Sequence, residues 1–187
     1  TALSDGTADL TPEKLLKEPP AKTTKGLAAS FLTSPVETSV NAYLVNTGTK
    51  LVLVDAGTGK LFGPALGSVV ANLKAAGYQP EQVDEIYITH MHGDHVGGLV
   101  ADGKPVFPNA IVRADKREAD YWLNAKNMES APADMKSFFE AAMASLRPYV
   151  DAGRFRTFDG DADLIPGVRA LAARGHTPGH AVYFVES

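Results

Sequence analysis

The sequence predicts an α/β or α+β layered domain, and three features of its 187 residues indicate this class. Short runs of apolar and β-branched residues, typical of strands, recur along the chain. Between them lie segments whose apolar residues return every three or four positions, as in amphipathic helices. A composition with 44% hydrophobic and 21% charged residues is that of an ordinary globular protein, so we expect a single domain over 1–187.

The chain is expected to open with a poorly structured segment and then a hairpin. Residues 1–37 are rich in Pro, Lys, Thr and Ser and show little periodicity, which predicts an exposed lead-in with one short helix around 12–16. Apolar runs at 42–45 and 51–54 flank the polar stretch NTGTK and predict two strands joined by a turn.

Helices and further strands follow from the spacing of apolar residues. One helix is marked by Leu66, Val69, Val70, Leu73 and Ala76, and Gly77 is expected to end it. A short helix is expected at 116–125. A longer helix is marked by Met135, Phe138, Phe139, Ala142, Met143 and Leu146, and Pro148 and Gly153 are expected to end it. Strands are expected at 84–90, 110–115, 154–159, near 167–173 and at 181–186.

Composition narrows the classes of partner. The net charge of −4 and the lack of a long basic run argue against nucleic acid and favour a small neutral substrate. No apolar run approaches the roughly 18 residues of a membrane helix, so we expect no membrane partner. The sequence has no cysteine, which excludes disulfides, thiolate metal sites and a cysteine nucleophile. Any metal ion must be held by nitrogen and oxygen.

The stretch THMHGDHVGG gathers three of the five histidines and an aspartate within six residues. His90 and His92 stand at i and i+2 where a predicted strand ends, so their side chains can point to one side. Asp94 and His95 follow Gly93, where we expect a positive φ and a sharp turn. The pattern predicts two metal ions, each facing two of these ligands. Imidazole and carboxylate suit zinc, and also iron, cobalt or manganese.

The other two histidines, His176 and His180, form a second cluster in GHTPGH. With His90, His92 and His176 on one ion, a fourth position stays open, which is typical of a catalytic zinc and not of a closed structural one. A structural zinc site and a set of unconnected histidines are the alternatives.

The motif formed by His90, His92, Asp94 and His95, with His176 as a further ligand, resembles the signature of the metallo-β-lactamase superfamily. The resemblance implies an αββα sandwich with two divalent ions at one edge of its sheets. It also implies that Asp55, in LVLVDAG, lies near the ions and orients a ligand or a water molecule, the alternative being an ordinary turn aspartate. We expect His180 to have the same supporting role.

Within this superfamily, nearly the whole chain resembles the methyl parathion hydrolase family of organophosphate hydrolases. The resemblance implies hydrolysis of neutral phosphotriesters by a metal-bound hydroxide, with Asp94 acting as a metal ligand and not as a base. It implies an aromatic substrate pocket formed by Phe62, Trp122 and Phe138, with Leu10 and Leu15 at its border. Packing in the core or in a loop is the alternative for each of these side chains.

Other functions stay open. Lactonases and aryl esterases of the same fold would use the same site chemistry. A diiron redox protein would carry glutamate in place of one motif histidine, which His92 opposes, and a binding module would hold metal without turnover. The resemblance further implies a C-terminal portion with a bridging aspartate and a last histidine ligand, beyond this chain or on a companion chain, and a homodimer is an alternative assembly. It also implies a bacterial protein exported to the periplasm or secreted, whose signal peptide would precede Thr1.

Overall fold

The computed structural model describes residues 1–186, and the chain forms eleven strands and seven α-helices within them. In order, these are β1 (Ala2–Leu10), α1 (Pro12–Leu15), α2 (Pro20–Ala29), β2 (Val36–Asn46), β3 (Leu51–Val54), α3 (Val69–Ala75), β4 (Glu85–Tyr87), α4 (Gly93–Val96), β5 (Val100–Ala101), β6 (Lys104–Pro105), β7 (Ile111–Asp115), α5 (Lys116–Trp122), α6 (Ala125–Ser130), α7 (Lys136–Asp151), β8 (Phe155–Phe158), β9 (Ala162–Ile165), β10 (Val168–Ala172) and β11 (Ala181–Val185).

Six strands form the larger sheet, in the order β1-β2-β3-β4-β7-β8. β1, β2 and β3 pair antiparallel, whereas β3, β4, β7 and β8 run parallel. A second, antiparallel sheet has the order β11-β10-β9, and β5 and β6 form a separate ribbon. Because parallel strands have their carboxyl ends at the same edge, the segments that follow β3, β4 and β7 meet there.

The larger sheet has helices on one face and the smaller sheet on the other. Side chains alternate along β3, so Leu53 joins the core cluster that contains residues of α3 and α7, while Val52 packs with Tyr87 and with Val168 of β10. This arrangement confirms the expected fold class, and three layers of the sandwich lie within residues 1–186. No helix in that range is long and apolar enough to cross a membrane.

The N-terminal segment is not the irregular lead-in that the sequence predicted. β1 pairs with β2 along the edge of the larger sheet, and α1 and α2 connect the two strands. Only Leu3 and Asp5 of the nine residues in β1 are buried, and one of these two is charged. An edge strand with so few buried side chains lacks the apolar alternation by which strands are recognised.

Three further details of the sequence interpretation were wrong. The helix expected from Leu66 begins at Val69. Pro148 does not end the last helix, because α7 continues through it to Asp151 and Gly153, with φ +65°, follows. A proline so close to the end of a helix disrupts few of its hydrogen bonds. β9 was missed, since its four residues are too short to show periodicity.

Hydrogen bonds of Asp5 connect the edge strand β1 to the segment that follows β3. Its fully buried carboxylate accepts hydrogen bonds from the backbone N–H of Thr58 (2.9 Å), from the Thr58 hydroxyl (2.7 Å) and from the backbone N–H of Val69 (3.1 Å). A buried carboxylate with charge-assisted bonds of this kind contributes substantially to stability, since its removal leaves buried donors without partners.

Replacing Asp5 with alanine should therefore lower the free energy of unfolding by about 3 kcal/mol, because three donors lose their acceptor. Urea titration followed by circular dichroism measures this change. Asp9→Ala is the matched control, since Asp9 lies on the same strand but is exposed, and should cost less than about 0.5 kcal/mol. Equal losses in both variants would show that the Asp5 hydrogen bonds do not stabilise the fold.

Candidate metal centre

Three histidines from two distant segments meet at the carboxyl edge of the larger sheet. His90 and His92 follow β4, and His176 lies in the loop between β10 and β11. Nitrogen atoms of these three side chains all lie within 4.8 Å of one another, and Nε2 of His176 is 3.1 Å from Nδ1 of His92. The fold thus brings together the histidines that the sequence assigned to one metal ion.

Asp94 and His95, the residues assigned to a second ion, lie beside this group in the short helix α4. Nε2 of His95 is 3.3 Å from Oδ2 of Asp94, and the rings of His95 and His90 have centroids 4.0 Å apart. All five expected ligands are therefore within one small region of the molecule.

Asp55 connects this region to the sheet. It follows β3 with a φ of +58°, and its side chain is buried. Its Oδ1 accepts a hydrogen bond from the backbone N–H of Thr89 (2.8 Å), and its Oδ2 lies 2.8 Å from both the Thr89 hydroxyl and Nδ1 of His95. Asp55 therefore orients an expected metal ligand and does more than stabilise a turn.

Thr89, which the sequence interpretation missed, fixes the ring of His90. The Thr89 hydroxyl has one hydrogen, and donating it to Asp55 leaves Oγ1 as an acceptor for Nδ1–H of His90, at 3.1 Å. Nε2 of His90 then carries the free electron pair that a metal ion needs. The only sequence signal for this role is a hydroxyl residue directly before the first motif histidine.

The histidines differ in charge state because their surroundings differ. Burial, followed by the neighbouring imidazoles, lowers the pKa of His90 to about 2, and burial together with His176 lowers that of His92 to about 4. Burial alone would lower the pKa of His95, but hydrogen bonds to Asp55 and Asp94 outweigh it and raise the pKa to about 10. His90 and His92 are therefore neutral at pH 7, as metal binding requires, whereas His95 is protonated and would have to release a proton to bind an ion.

Asp94 stays ionised in the same region. Burial would raise its pKa, but the hydrogen bond with His95 outweighs this effect and the pKa falls to about 2. Three imidazoles with nearby nitrogen atoms, and an adjacent carboxylate and histidine, form a donor set that suits divalent zinc, iron, cobalt or manganese.

His180 lies next to the first three histidines without joining their close group. Its ring stacks on His90 with centroids 4.7 Å apart, and burial followed by the charge of His176 lowers its pKa. Its Nδ1 is buried, with no hydrogen-bond partner among the described residues.

Gly93 allows a close approach and not the positive φ that the sequence predicted. Its φ lies outside the left-handed region, and it is the first residue of α4. A Cβ at this position would lie 3.1 Å from a ring carbon of Phe62 and 3.3 Å from a methyl carbon of Leu61. The glycine therefore leaves room for an aromatic ring over the start of the helix that bears Asp94 and His95.

A cavity of about 610 Å³ opens beside the histidines. His90, Asp94, His95 and His180 line one part of it. The remaining wall comes from the N-terminal segment, β2, the loops after β3 and β4, and α7. It consists of Ala8, Leu10, Leu15, Thr38, Ser39, Val40, Asn41, Tyr43, Asp55, Thr58, Phe62, Leu66, Thr89 and Phe138. No lysine or arginine is among these lining residues. The sequence did not indicate that the β2 residues line a cavity. Alternation along a strand shows which face points inward, but not which segments that face contacts.

Two of the three predicted aromatic residues line this cavity. Phe62 is 55% exposed and Phe138 is 38% exposed. Trp122 does not line the cavity as predicted, because it is only 2% exposed and belongs to the core. Its ring packs edge-on against His92, with centroids 5.2 Å apart, and against Phe139. Trp122 therefore packs against His92 from the core side.

The chain is similar to proteins of a known family. Residues 35–187 match the metallo-beta-lactamase superfamily. The N-acyl homoserine lactonase of Bacillus thuringiensis is 28% identical over 119 residues, which are 64% of this chain and 39% of the lactonase, so the chain spans well under half of that relative.

Two of the similar solved structures align with the whole chain. The hydrolase AbOPH of the beta lactamase superfamily has 40% sequence identity and a TM-score of 0.89, and the dizinc quorum-quenching lactonase AidC, in complex with the product N-hexnoyl-L-homoserine, has 27% and 0.87. The chain covers 66% of each. The superfamily resemblance is thus confirmed, whereas these relatives do not single out the methyl parathion hydrolase family. The chain belongs to the metallo-beta-lactamase superfamily.

Proposed function

We propose that the protein is a metal-dependent hydrolase of small neutral lactones that carry an apolar acyl chain, such as N-acyl homoserine lactones. The observation that carries this proposal is the cavity next to the histidines, whose wall combines aliphatic and aromatic side chains with hydroxyl groups and one asparagine. Its lining has carboxylates but no lysine or arginine. Away from the histidines, an anionic substrate would find no basic side chain in this wall, whereas a neutral ester ring with an acyl tail fits both parts of the wall.

The relatives support the same class of substrate. Two of the similar proteins named above are lactonases, and one of these holds an acyl homoserine product. This support favours the lactone over the phosphotriester that the sequence resemblance had indicated.

The residues of the chain would have different roles in such a site. His90, His92 and His176 would hold one ion, and Asp94 with His95 would contribute to a second. Divalent ions bound there supply Lewis acidity to the electrophilic group and acidify water. Asp55 keeps Nδ1 of His95 occupied, so that Nε2 faces Asp94. Asp94 is ionised and serves as a ligand, so it does not take up a proton as a base.

Phosphotriester hydrolysis is the second candidate. Phe62 and Phe138 place aromatic rings in the cavity wall, which favours an aryl leaving group packed against them. A phosphotriester is also neutral, so the lack of lysine and arginine in the lining fits it equally well.

The substrate class can be tested by steady-state kinetics on the zinc-loaded protein with three neutral substrates: N-hexanoyl homoserine lactone, an aryl phosphotriester and an aryl ester. We expect kcat/KM to be highest for the lactone, by about tenfold or more, because only its acyl tail occupies the apolar wall as well as the site. Turnover of the phosphotriester without turnover of the lactone would instead support the second candidate.

The metal ligands can be tested without measuring activity. His176→Ala removes one of three clustered imidazoles and should lower the bound zinc, measured by elemental analysis after dialysis, by about one ion per chain. Arg174→Ala in the same loop is the control, because Arg174 is exposed and lies outside the cluster, and it should keep the full zinc content. Undiminished zinc in His176→Ala would contradict the assignment.

The cavity wall can be tested with a pair of phenylalanines. Phe138→Ala removes an apolar surface from the cavity and should lower kcat/KM for a long-chain acyl lactone about five- to tenfold, with a smaller loss for a short chain. Phe184→Ala is the control, since Phe184 is 50% exposed on β11 and does not line the cavity. If Phe138→Ala reduces the rate equally for all chain lengths, the ring does not contact the acyl chain.

A further inference from the structure

Glu118 is a buried carboxylate that takes no part in the proposed chemistry. It lies in the first turn of α5, with 0% of its surface exposed. No lysine, arginine or histidine among the described residues forms an ion pair with it. A buried charge of this kind is costly unless its oxygen atoms are well hydrogen-bonded.

Both oxygen atoms of Glu118 accept hydrogen bonds, and the two donors belong to the two segments that carry the histidines. Oε1 accepts from the backbone N–H of Met91 (2.9 Å), which stands between His90 and His92. Oε2 accepts from the backbone N–H of Gly179 (2.8 Å), three residues after His176. One carboxylate thus joins segments whose histidines are 84 residues apart in the chain.

The backbone of Gly179 also packs directly on Glu118. A Cβ at Gly179 would lie 2.2 Å from the backbone nitrogen of Glu118 and 2.7 Å from its Cβ. These distances are far below van der Waals contact, so only glycine permits this approach. The loop that contains His176 therefore packs against α5 as well as forming a hydrogen bond with it.

Two further hydrogen bonds between the segments lie farther along the chain, after His176. The backbone N–H of Ala181 donates to the carbonyl of Thr89 (2.9 Å), and the Tyr183 hydroxyl donates to the carbonyl of Ile88 (2.7 Å). These bonds attach β11 to the end of β4. The preceding loop, where His176 lies, contacts the first segment through its histidine rings, and its backbone is hydrogen-bonded to the carboxylate of Glu118.

We propose that Glu118 is a positioning residue for the metal centre, which holds the segment of His90 and His92 and the loop of His176 at the separation that lets all three bind one ion. This inference rests on the metal site of the proposed function. It requires the two acceptors of a carboxylate, because the amide of glutamine has one acceptor oxygen and would turn an N–H₂ group towards one of the two backbone donors.

The test is the affinity of the metal-free protein for zinc, measured by competition with a chromophoric chelator, in Glu118→Gln and in a matched variant. We expect Glu118→Gln to bind the first zinc about ten- to a hundredfold more weakly than the unchanged protein. Asp115→Asn is the match, since Asp115 is also a buried carboxylate that accepts two backbone N–H groups, from Arg117 and Gly160, neither of which is in a histidine segment. It should lower the melting temperature as Glu118→Gln does but leave zinc affinity unchanged.

Unchanged zinc affinity in Glu118→Gln, or an equal loss in Asp115→Asn, would overturn the inference while leaving the proposed function intact. Absence of zinc binding in the unchanged protein would overturn both. If Glu118→Gln does not fold, amide hydrogen exchange in the zinc-loaded unchanged protein decides. The amides of Met91 and Gly179 should exchange as slowly as that of Ala181, and fast exchange of either would refute the inference.

Discussion

The carboxylate of Asp55 is the group on which the rest of the site depends. The backbone of Asp55 has a φ of +58°, a left-handed conformation that costs about 1–2 kcal/mol for a residue with a Cβ. Hydrogen bonds to the backbone and hydroxyl of Thr89 and to His95 offset this cost. They join the end of β3 to the end of β4 and to α4, so the motif is fixed against the edge of the larger sheet.

The same carboxylate separates the charge states of two neighbouring histidines. It contacts His95 directly and, with Asp94, raises its pKa to about 10 despite burial. It acts on His90 only through the Thr89 hydroxyl, and burial with the nearby imidazoles lowers the pKa of His90 to about 2. Because one ring is charged between carboxylates and the other is neutral, rings with centroids 4.0 Å apart do not repel each other.

The sequence was sufficient to predict features that a local residue pattern determines. It was insufficient for features that depend on how distant segments pack together. The hairpin of β2 and β3 and the long helix α7 follow from apolar periodicity, and the clustered histidines correctly indicated the superfamily. The burial of Trp122 could not be deduced, because it lies on a helix and the cavity wall depends on which helix face meets β2 and the N-terminal segment, whereas Phe138 lines the cavity as predicted. Similarly, nothing in the sequence around Glu118 shows that two distant backbone amides meet it.

With this distribution of the histidines, binding of a metal ion would contribute to the assembly of the fold. His90 and His92 follow a strand of the larger sheet, whereas His176 precedes β11 of the smaller sheet. The two sheets pack through two small clusters, one around Val52, Tyr87 and Val168 and one around Phe158, Ala170 and Ala181. An ion held by all three histidines adds its binding free energy to that limited contact, since the separated sheets present only part of the ligand set. Contacts that fix the two segments before an ion binds reduce the ordering cost of coordination, which is why hydrogen bonds remote from the ligand atoms influence affinity.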